Sequence, residues 1–133
     1  MESEVLPVTT GDSLVTDITR PVAEFCRERG DGLCSVFAEH ATAGLALMEV
    51  GSGSEQDLAE ALGRILPKDI SYVHSHGSRG HGADHLLPVI VSPSLVLPVI
   101  RGEPALGTWQ RVVLVDPNRD NPRRNVRLSF VAG

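Results

Sequence analysis

The chain has 133 residues, enough for one domain with its own apolar core, and its apolar and charged contents are ordinary for a globular protein. A net charge of −5 argues against a general nucleic-acid or anionic-membrane binder. No apolar run reaches membrane-spanning length, because Leu86 to Ile100 is broken by Pro88, Pro93 and Pro98. The acidic start, Met-Glu-Ser-Glu, lacks the apolar segment of a secretory signal, so the expected compartment is the cytoplasm. Cys26 and Cys34 then read as buried core thiols rather than a disulfide or a nucleophile.

Val5 to Thr10 is short and β-branched, and Leu14 to Ile18 alternates apolar with polar residues. With Gly11-Asp12 between them, the two predict a hairpin. Asp17 or Thr19 caps a following helix with Pro21 in its first turn, and Val22, Phe25 and Cys26 form its apolar face. Leu33 to Ala38 reads as a buried strand, interrupted at His40-Ala-Thr-Ala-Gly44 and resumed by Leu45 to Val50. Glu55 to Leu66 has helical periodicity through Leu58, Ala61, Leu62 and Ile65, with Ser54 as the expected N-cap and Pro67 as its stop.

A histidine-rich loop follows, then a short helix within Ala83 to Val91 limited by Pro88. Leu95 to Ile100 predicts a strand near a sheet edge, because Pro98 cannot donate to a ladder. Trp109 to Val115 is a strand, Asp116 to Pro122 a polar turn, and Val126, Leu128 and Phe130 alternate in a last strand. Arg119, Arg123, Arg124 and Arg127 crowd this end and read as a solvated strand face with its turn. The order predicts a single α+β domain over 1–133, with a mixed or largely antiparallel sheet covered by helices on one side. The apolar strands at Leu95 to Ile100 and Val112 to Val115 suggest surface that a monomer would leave exposed.

All five histidines fall between residues 40 and 85, and His74, His76, His81 and His85 share one Gly-rich stretch. Neutral imidazole is the commonest protein metal ligand. His81 and His85 are four apart and share a face if the segment is helical; His74 and His76 share a face if it is extended. The alternative is a solvated histidine-rich surface loop. His40 stands at a strand break beside the Thr42 hydroxyl, either facing a cleft or hydrogen-bonded at a sheet edge. Glu49, set among Leu47, Met48 and Val50, is a candidate general base, a metal ligand, or the outward residue of its strand. Trp109 either floors a pocket for a planar ligand or fills the core. No P-loop and no nucleophile elbow is present.

Taken together, His40-Ala-Thr-Ala-Gly44, Glu49, Tyr72-Val-His74, Asp84-His85-Leu86, Leu97-Pro98-Val99, Gly102, Leu106-Gly-Thr-Trp-Gln110 and Arg124 resemble the YjbQ-like family, often labelled secondary thiamine-phosphate synthase. The resemblance runs from about Asp17 to the C-terminus. It implies a compact α+β domain assembled as a homotrimer, with a pocket between subunits. It also implies that His40, Glu49, His74 and His85 carry the chemistry, and that His40, His74 and His85 hold any metal. Thr42, Trp109 and Gln110 would contact the bound ligand.

The activity it implies is a weak thiamine-phosphate synthase, which joins a pyrimidine pyrophosphate to a thiazole phosphate and releases pyrophosphate. The partner is then a small phosphorylated metabolite. The cofactor is a divalent ion, zinc by its imidazole ligands or magnesium by its pyrophosphate chemistry. Two other readings stand beside it: a non-catalytic trimer that binds a metal or metabolite, and a metal-dependent hydrolase. The chain departs from the family at Ala41, in the loop Ser75 to Ala83, at Asp84 and at Ser92. His76 and His81 are particular to it, either as added ligands or as surface residues.

Overall fold

The computed structural model describes residues 1–74, 77, 80–120 and 122–133. Two antiparallel sheets stack on one another. The larger contains β1 (Glu2–Thr9), β3 (Gly32–Ala38), β5 (Ser94–Ile100), β6 (Glu103–Pro104) and β8 (Arg123–Ala132), in the order β1-β8-β3-β5-β6. The smaller contains β2 (Val15–Asp17), β4 (Gly44–Met48) and β7 (Arg111–Val115), in the order β2-β7-β4. The described residues also form four helices: α1 (Thr19–Cys26), α2 (Ser54–Ile65), α3 (His81–Asp84) and α4 (Leu87–Ile90). No helix among the described residues is long and apolar enough to cross a membrane.

The α+β expectation holds, but the apolar segments divide between two sheets rather than one. β7 shows why. Val112 and Leu114 face the main core, against Val36, Leu97, Val126 and Leu128. Val113 and Val115 face the other way, against Leu62 and Leu87, with Leu58 and Leu66 beside them. A strand buried on both faces reads as an unbroken apolar run. Val112 to Val115 is therefore interior within one chain, not surface awaiting a partner.

The expected N-terminal hairpin does not form. β1 pairs with β8, Val5 opposite Arg127, whereas β2 pairs with β7, Thr16 opposite Leu114. Val8 and Leu6 belong to the main core, while Leu14 and Val15 belong to the second. Gly11, at φ 56°, thus turns a crossover between sheets. Local pattern identifies strands; which core each strand serves decides its partner.

The N-cap of α1 is Ile18, neither Asp17 nor Thr19, although Asp17 binds the first helical residue. Asp17 Oδ1 accepts from Thr19 N–H at 2.9 Å and from Thr19 Oγ1 at 2.6 Å, while Arg111 Nε donates to Oδ2 at 2.8 Å. Burial opposes ionisation of Asp17, but these donors outweigh it and hold the carboxyl below its ordinary range. α2 is capped differently from expectation: Gly53, at φ 93°, is the N-cap and Ser54 is the first helical residue. Glu55 reaches back instead, accepting from Gly51 N–H at 3.1 Å.

Both thiols are free and fully buried, as expected of core cysteines. Burial, with Cys26 alongside, pushes the Cys34 thiol up to about 12. The outer face of the larger sheet remains open. Leu33, Phe37, Val96, Ile100 and Val131 are all exposed there, with Leu33 between Val131 and Pro98.

Candidate metal centre

α3 and the segment ahead of it gather three histidines. The helical hydrogen bond from His85 N–H to His81 C=O, 3.2 Å, carries the α3 turn through His85. That puts both rings on one side, with centroids 4.4 Å apart. His74 joins them: its ring centroid lies 4.4 Å from that of His85 and 5.4 Å from that of His81. One ligand nitrogen from each of the three lies within 4.8 Å of the others.

Gly82 permits this convergence. A Cβ there would lie 2.5 Å from Tyr72 Cβ and 2.6 Å from the His74 carbonyl oxygen. Only a glycine lets α3 approach the chain at 72–74 so closely. Gly80, at φ 80°, supplies the left-handed N-cap that starts α3.

Behind the rings lies a polar network from the turn after β7. His81 Nδ1 is 3.2 Å from Asp120 Oδ2 and 3.2 Å from Asn118 Nδ2. Asn118 is oriented by its other bonds: its Oδ1 accepts from Asp120 N–H at 3.0 Å, and its Nδ2 donates to buried Asp84 Oδ2 at 2.9 Å. When His81 Nδ1–H donates to Asp120, His81 Nε2 presents its lone pair to the other rings. Lys68 Nζ, 2.9 Å from Asp84 Oδ1, balances the buried carboxylate.

His40 belongs to an adjoining network rather than to the three-histidine group. The Thr42 hydroxyl donates to Asp116 Oδ1 at 2.9 Å and lies 3.0 Å from His40 Nδ1. Asp116 also accepts from Asn118 N–H at 2.9 Å and from Arg124 Nε. Burial and the Arg124 charge lower the His40 pKa, with Asp116 opposing them. The Thr42 backbone N–H also points at His40 Nδ1, at 3.4 Å.

The other expected site residues stand elsewhere. Glu49 is exposed, with Oε1 accepting from Ser52 at 3.2 Å. Trp109 is 71% exposed, not a core residue. Gln110 Oε1 accepts from Gly107 N–H at 2.8 Å. His76 lies outside the described residues. Arg124 departs from the solvated face expected of the arginine cluster: its side chain and that of Asp116 are both completely buried. In sequence, Asp116, Asn118 and Asp120 form a polar turn; the signal for the buried Asp116 is an acidic residue directly after a fully apolar strand.

Comparison with known proteins places this arrangement. The profile described as UPF0047 protein YjbQ-like matches residues 4–133. The chain belongs to the UPF0047 YjbQ-like family. It is 57% identical to a UPF0047 protein of Mycobacterium tuberculosis over the whole of both chains. It is 31% identical to the YjbQ protein of Escherichia coli O157:H7, over 78% of this chain and 76% of that one. Among solved structures, a hypothetical protein of Aeropyrum pernix superposes with a TM-score of 0.88 at 30% identity, covering all of both chains. A YbjQ-like protein of unknown function from Sulfolobus solfataricus superposes at 0.91 with 22% identity, covering 99% of this chain and 97% of that one, a likeness of fold.

Proposed function

We propose that this chain holds a divalent ion of zinc type at His74, His81 and His85, leaving a coordination position for the phosphate of a small metabolite. The observation that carries this reading is the approach of three imidazole nitrogens within 4.8 Å, with Asp120 behind His81. Three neutral nitrogens with a carboxylate behind one of them suit zinc better than magnesium, which prefers oxygen ligands. A divalent ion there supplies Lewis acidity that neutralises charge on phosphate oxygens.

His74, His81 and His85 would hold the ion, and Asp120 would fix the His81 tautomer. His40 belongs to the neighbouring Asp116 network. Glu49, the sequence's candidate general base, hydrogen-bonds to Ser52 within the chain. This favours a metal- and metabolite-binding protein over an efficient transferase, and makes a weak thiamine-phosphate synthase the activity to assay first. We propose further that the chain works as a homotrimer, with the open face of the larger sheet in the contact.

Metal analysis of the purified protein beside His81→Ala and His85→Ala tests the centre. Stoichiometric zinc that both variants lose is expected; a metal-free native protein would overturn the reading. Pyrophosphate release from the pyrimidine pyrophosphate and thiazole phosphate, lost in His85→Ala, would establish the transferase. No release, with metal bound, would leave the binding protein.

A further inference from the structure

A second site lies on the other side of Asp84. Between α2 and the α3–α4 turn is a cavity of about 480 Å³, walled by Leu14, Leu62, Leu66 and Leu87 and bordered by Lys68, Asp84 and Arg119. The volume falls within the range of small-molecule pockets, which pair mostly apolar walls with a few polar groups. The charged border has two cations to one carboxylate. That carboxylate is already met by Lys68 Nζ on one oxygen and Asn118 Nδ2 on the other. Lys68 Nζ also donates to the Pro117 carbonyl at 3.0 Å, and its contact with Asp84 is an ion pair without hydrogen-bond alignment, so N–H donors remain for an anion. Arg119 is exposed and has no ion-pair partner among the described residues.

Gly63 is the second observation. It lies in the body of α2, where glycine weakens a helix, and it lines the cavity. A Cβ built on it meets nothing within 4 Å. Packing does not demand this glycine, and it lines the cavity on the same side of α2 as Ala59, Leu62 and Leu66. α2 buries only Leu62, so its inner face stands off from the rest of the chain and leaves this space.

We propose that the cavity binds a small amphiphilic anion, its apolar body against the leucines and its phosphate or carboxylate on Lys68 and Arg119. The site is separate from the three histidines and does not depend on a metal there.

Calorimetric titration with octyl phosphate and octanol tests it. With inorganic phosphate in excess to fill the position at the metal centre, octyl phosphate is expected to bind once per chain, and octanol at least tenfold more weakly. Gly63→Phe should abolish octyl phosphate binding while the circular dichroism spectrum stays native. Lys68→Met combined with Arg119→Met should reduce the preference for octyl phosphate over octanol at least tenfold. His85→Ala should bind as the native protein does, which separates this site from the metal centre. Absence of binding, equal binding of octanol, unchanged binding by Gly63→Phe, or loss of binding in His85→Ala would each overturn the proposal.

Discussion

His81 Nε2 lies 2.7 Å from His85 Nε2. Two lone pairs cannot face each other at that distance, so the contact needs either a shared proton or a cation. With Zn–N bonds of about 2.0–2.1 Å, a tetrahedral ion separates its ligand nitrogens by roughly 3.3 Å. A small outward turn of either ring reaches that spacing. Asp120 bears on this through the His81 tautomer: Asp120→Asn should lower zinc affinity about 10- to 100-fold without changing the fold. Competition with a chromophoric chelator measures it. Unchanged affinity would remove Asp120 from the centre.

Gly82 tests the same centre from the backbone. An added methyl would press on the His74 carbonyl and on Tyr72 Cβ, neither of which is the free end of a flexible chain. Gly82→Ala should shift the segment carrying His74 and weaken zinc at least tenfold. The cost in stability should be about 1–3 kcal/mol, as for other overpacked sites. Urea unfolding and the chelator competition together report both effects. A variant with native metal affinity would show that His74 reaches the site by another path.

How much of this was legible beforehand differs by residue. The i, i+4 spacing of His81 and His85 was enough to place both on one face once α3 formed. Their meeting with His74 was not, because it depends on the close approach at Gly82, which only three-dimensional packing shows. The strands of β3, β7 and β8 were legible from apolar pattern. The separation of β1 from β2 was not, because partner choice is settled by distant residues such as Arg127 and Leu114. Arg124 misled because an arginine among arginines on a strand reads as solvated, whereas its partner Asp116 lies across a turn.

That buried pair predicts a large effect. Arg124 and Asp116 are both fully buried, and Arg124 Nη2 also donates to the Asn118 carbonyl at 3.0 Å. Arg124→Met would leave Asp116 charged and short of its main partner. Removing one member of a buried pair typically costs about 3–5 kcal/mol. Chemical denaturation should show a loss of that order; a loss below about 1 kcal/mol would mean that Asp116 is satisfied without the guanidinium.

Asp17 gives a pH dependence with a defined sign. Burial raises its pKa, but bonds from Thr19 and Arg111 outweigh this and hold it below the ordinary value of about 4. The folded state therefore binds this proton less readily than the unfolded state. The resulting stability is complete above the unfolded value and is lost as pH falls through the folded one. Asp17→Asn should be less stable than the native protein at pH 7, and the difference should shrink below about pH 4. A difference constant from pH 7 to pH 3 would show that capping geometry, not charge, is what Asp17 contributes.

The open sheet face bears on assembly. Leu33 and Val131 are opposed in the β3–β8 ladder, with Pro98 on the other side of Leu33, and both Leu33 and Val131 are about half exposed. Val96 and Ile100 extend the same face along β5, 61% and 52% exposed. A contiguous apolar patch on a soluble chain marks a contact surface more often than a solvated one. With Val112 to Val115 buried internally, this face is the surface proposed for the trimer contact. Light scattering should give three times the 14.2 kDa chain mass. Leu33→Lys, which places a charge in the centre of the patch, should give a folded monomer. A native protein already monomeric at micromolar concentration would overturn the trimer. A Leu33→Lys variant that remains trimeric would move the contact to another surface, with Trp109, 71% exposed, the next to substitute.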